Sequence, residues 1–282
     1  MVLEILKHGF MQRALVSGII ISVICSLMGV FLVLRRLSLL GDGLAHVAFG
    51  GIAIGFLLKI PPLLSALFFT AIGSLGVQRL MSKSKVYGES ATALILSFGV
   101  GVGILVIGIV KGFNADLFSY LFGSILAISN FDLAVITTVF VLVAVFMRLF
   151  YKSLVLMTFN EDIARISGVK IELISGIFAV LAAMTIVITI RAVGILLISA
   201  LLVIPTITAL QLSKSFKGTL MIAMLSSLLS VISGIFVSFY LELPAGGAIV
   251  MMLCALFLGA LIWKKSGTFK NHPSNIISDA NN

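Results

Sequence analysis

Charge is what this sequence most lacks. Only 10% of its 282 residues are Asp, Glu, Lys or Arg, against 61% apolar ones. A soluble domain carries about a quarter charged residues, so an ordinary soluble fold is excluded. Cysteine is nearly absent: Cys25 and Cys254 both lie in apolar runs, read as small packing residues and form no disulfide framework. No GxxxxGKS/T stretch occurs, so the chain has no P-loop with which to bind ATP. No HExxH occurs either, which removes the usual signature of a metalloprotease. Histidine is limited to His8, His46 and His272, two of them near the ends. The net charge of +9 sits in short clusters between apolar runs, as in the cytoplasmic loops of membrane proteins, and does not point to nucleic acid.

What is present is apolar sequence in membrane-sized pieces. A spanning helix takes about 20 mostly apolar residues. The runs 14–34, 38–58, 62–80, 91–110, 131–150, 171–190, 193–210, 218–240 and 246–263 qualify. The expected fold is an all-α polytopic membrane protein of nine spans, with eight as the alternative if one segment only dips into the bilayer. Between the fourth and fifth spans, residues 113–129 hold an apolar piece too short to cross, which reads as a re-entrant or outer helix. Tyr151–Lys170 reads as the longest polar stretch before the tail, and the spans on either side of Arg191 as broken near that residue. The basic loops 35–36, 79–85, 148–170 and 214–217 and the start of the tail all fall on one side, which the positive-inside rule makes cytoplasmic. Lys7, Arg13 and Arg191 then face the outer side. The apolar run after Arg13 is of full membrane length and has no obvious cleavage site, so it reads as a span and not a signal peptide. Trp263 with Lys264 and Lys265 reads as an interfacial anchor, and 266–282 as a polar, mobile cytoplasmic tail.

Against this background Asp42 and His46 stand out. They are four residues apart, one turn along the same helical face. An Asp oxygen and a His nitrogen so placed make half of a divalent-metal site. A charged side chain in hydrocarbon costs about 2.5 kcal/mol or more, so an acid in a span is a functional candidate by default. Asp42 reads as the one clear acid within the spans. The competing reading is a hydrogen-bonded Asp–His pair that ties two helices together.

Three further stretches carry chemistry. In Asn160–Gly168 (NEDIARISG), Thr158 or Asn160 can cap a short helix with Glu161 and Asp162 in its first turn, Arg165 further on and Gly168 ending it. Ile163 and Ala164 give it a small apolar knob, the form of a docking element; a solvated loop is the plainer reading. In Gly194–Ala209, Pro205 is expected to kink or break the span, while Thr206 and Thr208 satisfy the freed backbone and line a path. Simple small-residue packing is the alternative. Asp116 could help an outer vestibule attract cations, or merely polarise a surface helix.

Taken together, Gly41–Gly50 (GDGLAHVAFG), Asn160–Gly168, Gly194–Ala209 and Leu243–Ala248 (LPAGGA) resemble, in the same order, the permeases of ABC importers for divalent metals, the zinc/manganese family. The likeness covers about residues 10–265. It implies a single transmembrane permease domain over 1–265, working as a homodimer in the plasma membrane of a prokaryote. Each copy would dock on a cytoplasmic ATP-binding subunit through Glu161, Asp162, Ala164, Arg165 and Gly168 and receive its cargo from an extracytoplasmic metal-binding protein. Asp42 and His46 fall where such permeases place their metal-contacting pair. The chain is then no enzyme: a partner hydrolyses ATP, no cofactor is permanently bound, and Zn²⁺ or Mn²⁺ is the cargo. Phe118–Ile125 and Leu196–Leu212 look more like the zinc branch. Gly43 and Ala45 depart from the family, which more usually has a small polar residue just after the acid and often Ser before the histidine.

Other transport chemistries are weighed by what they need. A permease for chelates such as siderophores or cobalamin needs a wide cavity without a coordinating pair. An ion-coupled secondary transporter should carry more buried acids in its spans.

Overall fold

The computed structural model describes residues 8–84, 86–110, 115–125 and 128–265, the side chains at 83, 110 and 115–118 excepted. All regular structure among these residues is helical. In chain order the helices are α1 (Gly9–Leu34), α2 (Leu40–Leu58), α3 (Pro62–Ser84), α4 (Gly88–Val110), α5 (Ala115–Phe122), α6 (Asn130–Phe159), α7 (Glu161–Ile166), α8 (Ile171–Val193), α9 (Ile198–Leu212), α10 (Phe216–Leu241) and α11 (Ala245–Trp263). Nine segments among the described residues are long and apolar enough to cross a membrane, α9 together with the 3₁₀ turn Ile195–Leu197 before it. Lys7, Lys85, Asn114, His272 and the tail 266–282 lie outside the described residues.

The ends of the spans follow from local chemistry. Arg36 and Lys59 take left-handed backbone after α1 and α2, and Pro62 opens α3, where a missing N–H costs nothing. At the start of α6, the Ser129 hydroxyl accepts from the Asp132 N–H at 3.1 Å while the Asp132 carboxylate accepts from the Ser129 N–H at 3.0 Å, a complete capping box. The helix then runs on to Phe159, nine residues past its expected end. Leu154 and Met157 are buried there, so the stretch expected to be polar from Tyr151 onward is half helix and half connection.

The helices are apolar on all sides, so packing is decided by where small residues let backbones meet. Three helices form the most enclosed part of the bundle: α1, α2 and α8. On α2, Gly50 lies against the Gly99 carbonyl of α4, and a Cβ on Gly99 would come within 2.6 Å of the His46 carbonyl. Gly51 meets Ala66 of α3 in the same way. The helix carrying Asp42 and His46 is thus clamped between two neighbours. Farther along, Gly123 and Gly194 have positive φ, +73° and +92°, and lie backbone to backbone, with Gly246 of α11 against Val193. The break between α8 and α9 is therefore at Gly194, three residues beyond Arg191.

Arg191 does not simply face outward. Its guanidinium binds both carboxylate oxygens of Asp132, at 2.9 and 3.3 Å, and lies 5.1 Å over the Tyr120 ring of α5. Asp132 is within a span-length helix and its side chain is only 5% exposed. The expectation of a single span acid is corrected: Asp132 is a further one, buried and neutralised by a cation 59 residues away in sequence, while Glu89 and Glu172 lie in the first turns of α4 and α8.

Candidate functional site

Asp42 lies in the first turn of α2, with no side-chain cap ahead of it at Leu39. The unpaired N–H groups of that turn favour a negative charge there. His46 follows one turn later, roughly 6 Å farther along the axis. Both side chains are half-buried. The carboxylate and imidazole do not bond to each other. Instead the Ser199 hydroxyl, in the first turn of α9, donates to Asp42 Oδ1 at 2.5 Å. The imidazole has no hydrogen bond among the described residues, which leaves its nitrogens free to coordinate. A helix-tying role for Asp42 is thus real, but its partner is Ser199 and not His46.

Ser199 is 157 residues from Asp42 in sequence and carried no local signal. Gly41 makes the approach workable, since a Cβ there would stand 3.1 Å from the Ser199 oxygen and 3.0 Å from Leu202 Cδ1. A hydroxyl does reach the acid, from α9 and not from positions 43 or 45. Gly43 itself is needed bare, because a Cβ would come within 2.5 Å of Thr92 Cγ2. No group of three or more His, Cys, Asp and Glu side chains able to hold a metal occurs among the described residues. One chain therefore offers two ligands of this kind at the site.

The other expected residues separate into two sets. Pro205, Thr206 and Thr208 are buried, and α9 continues through Pro205 without breaking. Pro205 cannot donate to Leu201, yet Thr206 bonds the Leu202 carbonyl at 3.3 Å and Thr208 the Ile204 carbonyl at 2.7 Å. Neither threonine repairs the gap, and both hydroxyls are spent inside α9. Thr206 also packs where Gly29 of α1 abuts Leu202. Within one chain this stretch makes the small-residue contacts of a helix interface. Asp116 falls on α5, with its side chain outside the described residues.

The segment Asn160–Gly168 does form a short helix. Asn160 caps it, accepting from the Ile163 N–H at 2.9 Å, and Gly168 ends it with φ +76°. Thr158 does not cap; its hydroxyl donates to the Leu154 carbonyl. Glu161, Asp162 and Arg165 are exposed, with Arg165 and Glu161 3.7 Å apart. Ala164, expected as part of the outer knob, is fully buried against its own chain. The apolar side chains that α7 presents outward are Ile163, 50% exposed, and Ile166, 87% exposed. Beneath α7 is a cleft of about 400 Å³, whose polar lining includes Arg35, Gln78, Glu161 and Glu172. Burial there lowers the pKa of the Arg35 guanidinium from its ordinary value, with the nearby Glu161 charge opposing.

Fold and site together define a polytopic membrane protein with one acid–imidazole pair on an otherwise apolar span. The chain belongs to the ABC 3 transport family, whose model matches residues 7–264. It is similar to the "Probable iron transport system membrane protein" of Haemophilus influenzae, 34% identical over 266 residues, 93% of this chain and 97% of that one. The same organism's "High-affinity zinc uptake system membrane protein ZnuB" is 31% identical, covering 88% of this chain and 94% of the relative. A "Manganese transport system membrane protein MntC" from Halalkalibacterium halodurans is 29% identical over 90% and 87% of the two chains. Among solved structures, "PsaBC from Streptococcus pneumoniae in complex with Fab" matches with a TM-score of 0.83 at 26% identity, covering 96% of this chain and 100% of that one.

Proposed function

We propose that this chain is the permease of an ABC importer for divalent metal ions, with Asp42 and His46 as the metal-contacting pair. The observation that carries this reading is the pair itself. An acid and an unbonded imidazole lie one turn apart, half-buried, on a helix held in place by glycine contacts. Similarity to chains named for iron, zinc and manganese transport supports the substrate class. Two ligands suit an ion that must leave again, since conduction needs binding weak enough for release. A second copy of the chain would bring two more.

Zinc is favoured over manganese. Carboxylate plus neutral imidazole is a donor set that Zn²⁺ accepts in low coordination number, whereas Mn²⁺ prefers more oxygens. The pump's energy comes from a separate cytoplasmic ATP-binding subunit, since this sequence has no P-loop. An extracytoplasmic binding protein delivers the ion.

Asp42→Ala and His46→Ala should each abolish uptake of radiolabelled zinc or manganese in cells expressing the whole importer. Both variants should still reach the membrane and co-purify with the ATP-binding subunit. Normal uptake by both would refute the site.

A further inference from the structure

We propose that Ser199 is a positioning residue that biases the Asp42–His46 pair toward ions of low coordination number by holding one carboxylate oxygen of Asp42. The inference rests on the metal-site reading above. At 2.5 Å the Ser199–Asp42 contact has the length of a charge-assisted O–H···O⁻ bond. It occupies Oδ1. The other oxygen, Oδ2, has no hydrogen bond among the described residues and is the one left for an ion.

A carboxylate oxygen that already accepts a strong hydrogen bond is the weaker donor, so an ion is held mainly through the other oxygen. Paired copies of such a site would present one oxygen and one imidazole nitrogen each, which is a four-coordinate set of the kind Zn²⁺ takes. If Oδ1 were released, each carboxylate could bind through both oxygens. The set would then approach the six-coordinate, oxygen-rich shell that suits Mn²⁺. Ser199 is fixed well enough to impose this choice. It sits in the first turn of α9, held by the buried neighbours Ile198, Leu201 and Leu202, and the bare Cα of Gly41 leaves room for its oxygen.

The test is competitive uptake of radiolabelled zinc and manganese by vesicles containing the complete importer, comparing wild type with Ser199→Ala, Ser199→Thr and Gly41→Ala. Ser199→Ala should move the zinc-to-manganese preference toward manganese by about tenfold, the scale of one hydrogen bond to a charged group. Ser199→Thr, which keeps the hydroxyl, should stay near wild type. Gly41→Ala crowds the Ser199 oxygen without removing it and should shift the preference in the same direction as Ser199→Ala. It carries the test if Ser199→Ala fails to accumulate. An unchanged preference in Ser199→Ala and Gly41→Ala, with uptake still abolished by Asp42→Ala, would overturn the role of Ser199 alone. An equal fall in affinity for both ions would overturn it too, because that is the signature of a direct ligand. If Asp42→Ala leaves uptake of both metals intact, the metal-site reading itself fails.

Discussion

At the scale of single residues, two polar contacts join distant parts of the chain, Ser199 to Asp42 and Arg191 to Asp132. The Asp132–Arg191 pair is the clearest. Asp132 is 5% exposed, accepts from Ser129 and binds Arg191 through both oxygens. Arg191→Leu removes the cation and strands a buried carboxylate. Loss of one partner of a buried pair costs about 3 kcal/mol or more. The variant should therefore unfold earlier than wild type in a detergent titration followed by circular dichroism. Asp132→Leu with Arg191→Leu removes both charges and should recover part of the loss, short of the roughly 1 kcal/mol held by the capping box. A double variant as unstable as the sum of the single ones would refute the pairing as the cause.

Residues also show where a sequence stops being readable. Asp42 and His46 are legible because both are rare in apolar runs and their spacing has a helical meaning. Ser199 is one serine among many, 157 residues away, and only the folded chain brings it to Asp42. Asp132 follows Ser129 in a legible capping pattern, yet its neutralisation by Arg191 depends on how α6 and α8 pack.

At the scale of elements, spans were legible because apolar length is a strong signal, and their ends less so. Helix α6 outran its hydropathy because Lys152 interrupts the apolar run without interrupting the helix. The face of α7 was misjudged for a related reason. Six residues are too few for periodicity to say which side is buried, and the small residue Ala164 turns inward while Ile163 and Ile166 turn outward. This reversal changes what mutations should do. Ile166→Asp places a charge on an exposed apolar side chain and should weaken co-purification with the ATP-binding subunit while leaving thermal stability near wild type. Surface changes away from buried features are usually worth less than about 0.5 kcal/mol. Ala164→Arg should do the opposite and lower stability first, since it forces a long charged side chain into packed interior. Retained co-purification and normal transport with Ile166→Asp would remove α7 as the docking helix.

At the scale of the whole molecule, the half-exposure of the Asp42–His46 pair bears on assembly. Helices α3, α4 and α9 cover other sides of α2 through Gly51, Gly50 and Gly41. The pair itself is left only half-buried by its own chain. Facing lipid, an acid there would cost about 2.5–3.5 kcal/mol. Facing a second copy, it would gain a partner acid and imidazole able to share an ion, and no third His, Cys, Asp or Glu joins the pair among the described residues of one chain. A shared site makes a specific prediction. When wild-type and Asp42→Ala chains are co-expressed in varied ratio, uptake should fall as the square of the wild-type fraction, because only paired wild-type chains complete the site. A linear fall would mean that each chain carries its own independent path, and the second copy would then contribute nothing to coordination. Differently tagged chains co-purified in parallel give the fraction of mixed pairs directly, so the two laws are compared at known composition.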